Sequence, residues 1–238
     1  MITPKDIEKK TMSAAKRAEA KNSYFAFYIG RPLSYVLTIP LLYTNVAPNT
    51  VTIISILFIV AGYILFTIGH TTGIFLLGLL MVFLWNMGDG IDGNIARYKG
   101  IKSENGDLLD TLGGYLAVCL ILLGMGNVAY NDPMGNVYLH NKLPIMLSGV
   151  SAISTLIPRV LMHRKLAQHA KSQNAEGLKD KEHYSLVKII ALNICDPAGI
   201  QEIIMLIAIL CHWATEFTIA YCVLNVAIMG YSIKKMME

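Results

Sequence analysis

Apolar residues gather in six runs, each near the ~20 residues that carry a helix across hydrocarbon: 49–69, 72–96, 107–129, 143–163, 190–211 and 216–233. A tight polar turn, Gly69-His70-Thr71-Thr72, parts the first two. Asp196-Pro197 interrupts the fifth, which predicts a kink or a helix start there, because proline lacks a donor and clashes with the preceding turn. Segment 31–45 is also apolar, but Arg31, Pro32 and Pro40 lie within it and it is not read as a span. Ahead of it, Ile7, Met12, Ala15 and Ala18 alternate with Lys5, Lys9, Lys10, Lys16, Arg17 and Lys21, the pattern of a basic amphipathic helix. Tyr24, Phe25, Phe27, Tyr28 and Tyr35 follow, side chains that favour the headgroup level. The prediction is an all-α integral membrane protein: six transmembrane helices preceded by an N-terminal interfacial amphipathic helix. The whole chain, 1–238, reads as a single membrane domain, with 1–45 interfacial and 49–233 transmembrane. No repeat breaks it, and the polar stretch 166–183 reads as a loop rather than a linker.

Composition strengthens that picture. Hydrophobic residues make up 54% of the chain and charged ones 15%, with a mean hydropathy of +0.50, whereas soluble domains carry about 25% charged residues. The pI near 8.8 arises from loop cations rather than a compact polar domain, so anionic headgroups or an anionic substrate fit better than nucleic acid. Of the 20 Lys and Arg, all but Lys142 fall on or beside the face shared by the N-terminus, the 97–106 loop, the 164–189 loop and the C-terminus. Positive loops stay cytoplasmic. A multi-pass protein of the cell membrane with both termini cytoplasmic is the expected topology, and a seventh span before residue 49 would break it. Cys119, Cys195, Cys211 and Cys222 show no paired spacing and read as small buried hydrophobes, not disulfides or a zinc site. The N-terminus lacks the apolar core of a signal peptide.

One cluster breaks the oily pattern. Gly88-Asp89-Gly90-Ile91-Asp92-Gly93-Asn94-Ile95-Ala96-Arg97 closes the second span, and Gly106-Asp107-Leu108-Leu109-Asp110 opens the third. Ionisable residues in membrane segments are costly, which makes these acids a functional-site hypothesis. Helical spacing sets Asp89, Asp92, Gly93 and Ala96 along one stripe, and Gly106 and Asp110 along a matching one. Carboxylates suit hard divalent ions, Mg2+ or Mn2+, which often share their coordination with substrate phosphates. Glycine and alanine leave clearance beside the backbone, and Arg97, Lys99 and Lys102 offer cations at the rim. The acids would alternatively pair with Arg97 and Lys99 simply to cap two helix ends.

This run resembles the signature of the CDP-alcohol phosphotransferase family, D-x-x-D-G-x-x-A-R, eight residues, then G-x-x-x-D-x-x-x-D. Asp89, Asp92, Gly93, Ala96, Arg97, Gly106 and Asp110 match it in identity and spacing, and Pro48-Asn49 resembles the usual approach to the first span. The resemblance implies six spans and metal-dependent transfer of a phosphoalcohol group from a CDP-linked alcohol donor to a lipid or small polar acceptor, with release of CMP. It further implies Asp89, Asp92 and Asp110 as metal ligands, Gly93, Ala96, Arg97 and Gly106 around the nucleotide, and a homodimer in the membrane. The active site would face the cytoplasm.

The chain departs from the signature at its last acid, where Gly114 stands inside Leu112-Gly113-Gly114-Tyr115. In the family that acid deprotonates the acceptor hydroxyl. A base from elsewhere, Asp196 or Glu202, is one substitute and leaves Asp110 as the other candidate catalytic acid. An acceptor that is already anionic is a second, and loss of catalysis, leaving a nucleotide-binding membrane protein, is a third. The glycine pair also enlarges the acceptor side. Arg159, a turn inside the fourth span, is a candidate for a substrate phosphate. His163 and Lys165 read as headgroup contacts, His169 and His183 as solvated, Trp85 and Asn86 as helix packing, and Asp107 as a helix N-terminal charge. Asp132 and Glu216 fall on the opposite side from the acids. A divalent-cation transporter is a rival reading, but it requires polar residues to continue across the bilayer, and spans one and six nearly lack them.

Overall fold

A computed structural model describes residues 2–101, 105–135, 141–170, 189 and 193–237. Every regular element among them is helical: α1 (Pro4–Thr11), α2 (Ala14–Ala20), a π-helical turn (Ala26–Gly30) running into α3 (Arg31–Leu42), α4 (Pro48–Ile68), α5 (Thr72–Lys99), α6 (Gly106–Asn131), α7 (Leu143–Ala170), α8 (Gln201–Leu210) and α9 (Ala214–Met237). Lys102, His183, the side chain of His169 and the polar stretch 173–177 lie outside the described residues.

Among the described residues, five helices, α4, α5, α6, α7 and α9, are long and apolar enough to cross a membrane. The segment predicted as the fifth span behaves differently. Asp196-Pro197 sits in a turn, with the Asp196 carboxylate accepting from the Ala198 N–H at 3.0 Å and the Gly199 N–H closing on the Asp196 carbonyl at 2.8 Å. Proline removes one backbone donor and the aspartate side chain satisfies another locally, so the helical residues 193–194 are parted from α8, which begins at Gln201. At 10 residues, α8 is about 15 Å long, half of a ~30 Å hydrocarbon core.

Close approach organises the bundle, since lipid supplies little hydrophobic drive for helices to associate. Helix α4 packs along both α5 and α6, which touch each other much less. A Cβ at Gly62 would lie 3.0 Å from the Gly78 carbonyl, and one at Gly88 would lie 2.6 Å from Ser55 Cβ, so the α4–α5 seam exists only because these positions lack side chains. Phe66 is fully buried in the same seam. Helix α5, at 28 residues, measures about 42 Å and therefore outruns the hydrocarbon by roughly 12 Å. Its end is capped by Gly100 in the left-handed region (φ 67°), where glycine carries no strain.

The N-terminal segment forms two short helices, where the sequence pattern predicts one amphipathic helix. In α1, Thr3 and Asp6 cap each other reciprocally, and the Thr3 hydroxyl holds the Asp6 carboxyl below the usual carboxylate range. Ile7 is buried as α1 packs on α3 and α5, and the Lys10 ammonium lies 4.2 Å from the Tyr98 ring centroid. Asn193 ties this segment to the turn before α8. Its amide N–H donates to the Asn22 carbonyl at 2.8 Å, and its Oδ1 accepts from the Tyr24 N–H at 2.8 Å.

At the far end of α6, His212 Nδ1 stands 2.9 and 3.0 Å from the two oxygens of Asp132, which also accepts from the Met134 N–H. This clamp joins the α8–α9 corner to α6. Asp132→Asn is expected to cost about 1–3 kcal/mol, since it strips a buried polar group of a charged partner. The check is a lower melting temperature in detergent with unchanged nucleotide binding. An unchanged melting temperature would show the clamp to be idle.

Candidate active site

Helix α5 carries its acids towards its C-terminal end, where its apolar run gives way to polar residues. Asp92 is buried, and the Thr52 hydroxyl of α4 donates to its Oδ2 at 2.5 Å. That contact fixes the carboxylate and was not legible in the signature. Its only sequence cue is a threonine one turn beyond Pro48-Asn49, placed to face α5. Asp89 is half-buried a turn earlier, and Asp110 is exposed at the start of α6, near Asp107. The charge of Asp110 acts on both Asp89 and Asp92, and Asp89 also experiences Asp196. Two helices, α5 and α6, and the turn before α8 therefore bring four carboxylates into one electrostatic neighbourhood. Among the described residues, no three His, Cys, Asp or Glu side chains stand close enough to enclose a metal unaided.

Arg97 folds back along α5 towards these acids. A Cβ on Gly93 would lie 2.7 and 2.9 Å from the two terminal guanidinium nitrogens, so glycine is what lets the guanidinium rest there. Arg97 also donates to Asn94 Oδ1 at 3.4 Å. Asn94 in turn donates to Ser34 and Thr38 of α3 at 3.2 and 3.3 Å, which seats α3 against the acid-bearing end of α5. Ala96 lies half-buried on the same helical end, and Gly106 is the first residue of α6. Lys99 does not reach for the site. Its ammonium donates to the Thr44 carbonyl at 2.7 Å, because the α3–α4 corner presents an unsatisfied carbonyl within a lysine's length.

The two glycines of the α6 pair play separate parts. Gly113 is buried against Ile56 of α4, while a Cβ at Gly114 would meet nothing within 4 Å. Gly114 thus opens space beside the acids. Its neighbour Tyr115 packs against His163, ring centroids 5.6 Å apart.

The candidate substitutes for the absent acid diverge. Glu202 is buried and accepts from the Asn86 amide at 2.9 Å, which also reaches the Pro197 carbonyl. That bond is a packing link between α5 and α8, the role predicted for Asn86. Asp196 is half-buried and pairs with Arg159 at 3.4 Å. The two residues singled out separately in the sequence are therefore partners. Lys165, read as a headgroup contact, instead donates to the Met236 carbonyl at 3.3 Å near the end of α9.

No curated protein matches the chain significantly. The family described as CDP-alcohol phosphatidyltransferase matches residues 45–229, from the α3–α4 corner into the last helix. With an all-helical membrane fold and that match over more than half of its length, the chain belongs to the CDP-alcohol phosphatidyltransferase family.

Proposed function

We propose that the whole chain, residues 1–238, acts as a single membrane domain that transfers a phosphoalcohol group from a CDP-alcohol to an acceptor, releasing CMP, at the cytoplasmic face. The observation that carries this reading is the convergence of Asp89, Asp92 and Asp110 beside an arginine laid over a glycine. The donor set suits Mg2+ or Mn2+. Magnesium is usually held by one or two carboxylates together with substrate phosphates, not by a complete protein cage, so carboxylates gathered without closing a site fit that use. Such an ion would neutralise charge developing on the departing CMP.

The remaining work falls to the chain's own side chains. Thr52 holds Asp92 in one orientation, and Gly93 with Ala96 clears room for the nucleotide along α5. Arg97 lies where a diphosphate would carry its charge. Of the two substitute bases, Asp196 is the one placed to take an acceptor proton, because it is half-exposed and in electrostatic reach of Asp89, whereas Glu202 is buried and engaged by Asn86. Arg159, 3.4 Å away, orients Asp196. Family members act in lipid synthesis, and a lipid or small polar acceptor would enter beside Gly114. A homodimer in the membrane is the proposed assembly.

The test is CMP release by purified protein given magnesium, CDP-diacylglycerol or CDP-choline, and candidate acceptors. Magnesium-dependent CMP release, lost on removal of the ion, supports the transferase. Cation flux into liposomes without CMP release would replace it with the transporter. Gly114→Leu is expected to fold, as nothing stands within 4 Å of its Cβ. It should lower acceptor transfer about tenfold or more while CDP binding persists, an effect of filling space rather than removing a ligand. Undiminished transfer in Gly114→Leu would mean that the open space has no role.

A further inference from the structure

Two guanidinium groups on different helices act on each other, and neither forms a salt bridge among the described residues. Arg97 is subject to the positive charge of Arg31, the first residue of α3, to the adjacent Tyr35, and, from the acid side of the site, to Asp92 and Asp110. Neither arginine has a carboxylate oxygen within 4 Å among the described residues, where the ion pairs are Arg17–Glu8, Arg159–Asp196 and His212–Asp132. Arg31's recorded polar contact is with the sulfur of Met12 at 3.8 Å, which neutralises nothing. Close like charges repel, and a fold tolerates them where an anion sits between.

A second observation points the same way. Tyr35 is 6% exposed, yet its hydroxyl has no hydrogen-bond partner among the described residues. A buried hydroxyl left unmatched costs about 1–3 kcal/mol, and such groups in native folds ordinarily await a ligand or water. Helical spacing puts Arg31, Ser34, Tyr35 and Thr38 on neighbouring positions of α3. Ser34 and Thr38 are anchored to Asn94, and Ser34 also faces Gly90, whose Cβ would lie 3.1 Å away. Those anchors fix Arg31 and Tyr35 beside the returning guanidinium of Arg97. All three groups donate hydrogen bonds, and two carry charge, a combination suited to phosphate oxygens.

We infer that Arg31, Tyr35 and Arg97 form a phosphate-binding subsite at the α3–α5 junction, completing the substrate site from a segment that precedes the family-matched residues 45–229. This deepens the transferase reading and rests on it for the identity of the substrate. The phosphate belongs either to the nucleotide donor or to an anionic lipid headgroup.

Binding to the full chain in detergent or nanodiscs separates these sources. The probes are inorganic phosphate, CDP with magnesium, and nanodiscs containing phosphatidic acid in place of phosphatidylcholine; the variants are R31Q, R31K and Y35F. R31Q is expected to weaken binding about tenfold, the scale of losing one charge-assisted contact. Y35F should weaken it several-fold, and R31K should recover only part, since an ammonium lacks the planar fork. Loss confined to CDP assigns the donor phosphate, and loss confined to phosphatidic acid assigns a headgroup. If folded R31Q and Y35F bind all three probes as the unaltered chain does, the subsite does not exist. If the unaltered chain fails to bind CDP, the donor reading falls, while the inorganic phosphate and phosphatidic acid arms still decide the subsite.

Discussion

Asp89→Asn is expected to reduce CMP release by a hundredfold or more, the order observed when one preorganised charge-stabilising contact is removed. The substitution keeps the shape of the side chain and removes its charge, so any loss reflects electrostatics. Among the described residues Asp89 makes no side-chain hydrogen bond, whereas Asp92 is held by Thr52. It also couples with both Asp110 and Asp196, which makes it the carboxylate most central to the group. Circular dichroism and gel filtration should match those of the unaltered chain, because removing a charge from a crowd of acids relieves repulsion. Turnover within threefold of the unaltered chain would remove Asp89 from the chemistry. The companion Thr52→Val should reduce turnover less, by about 10–100-fold, as expected for a residue that orients a ligand.

The largest stability effect belongs to Phe66→Ala. The Phe66 ring fills the space above two glycines on different helices: a Cβ at Gly78 would lie 2.8 Å from it, and one at Gly124 would lie 2.5 Å from it. Phe66 thus joins α4, α5 and α6 at one point, with no exposed surface. Buried Phe→Ala changes cost about 3–5 kcal/mol in soluble cores. Lipid solvates a separated helix nearly as well as protein does, so the lower end, about 3 kcal/mol, is expected here. Reversible unfolding in mixed detergent micelles measures it, and a loss under 1 kcal/mol would show that the three helices close over the cavity. Gly124→Leu alone overfills the same place and should destabilise by about 1–3 kcal/mol. Combined with Phe66→Ala it should recover stability, a coupling that distant sites would not show.

Much of the architecture follows from periodicity that a reader of the sequence can see. Long apolar runs at 49–69, 72–96, 107–129, 143–163 and 216–233 each correspond to a membrane-length helix. The run 190–211 is interrupted at Asp196-Pro197, where proline predicts a kink or a helix start, and residues 190–192 lie outside the described residues. Candidate site residues are legible where the signature prints them, at Asp89, Asp92, Gly93, Arg97 and Asp110. What no linear pattern reveals is pairing across helices. Thr52 against Asp92, Arg159 against Asp196 and Asn86 against Glu202 each join residues 37 or more positions apart. Lys99 and Lys165 went to backbone carbonyls for the same reason, since a cation's destination depends on which acceptors tertiary packing leaves open.

Helix α4 has a consequence that reaches beyond packing. Because α5 and α6 meet chiefly through it, the widths of Ser55, lodged against Gly88, and Ile56, lodged against Gly113, act as a gauge for the gap separating the two sets of acids. In the proposed transferase, ion size preference is therefore expected to shift when that spacer is shaved or thickened from the opposite side of the acid-bearing helices.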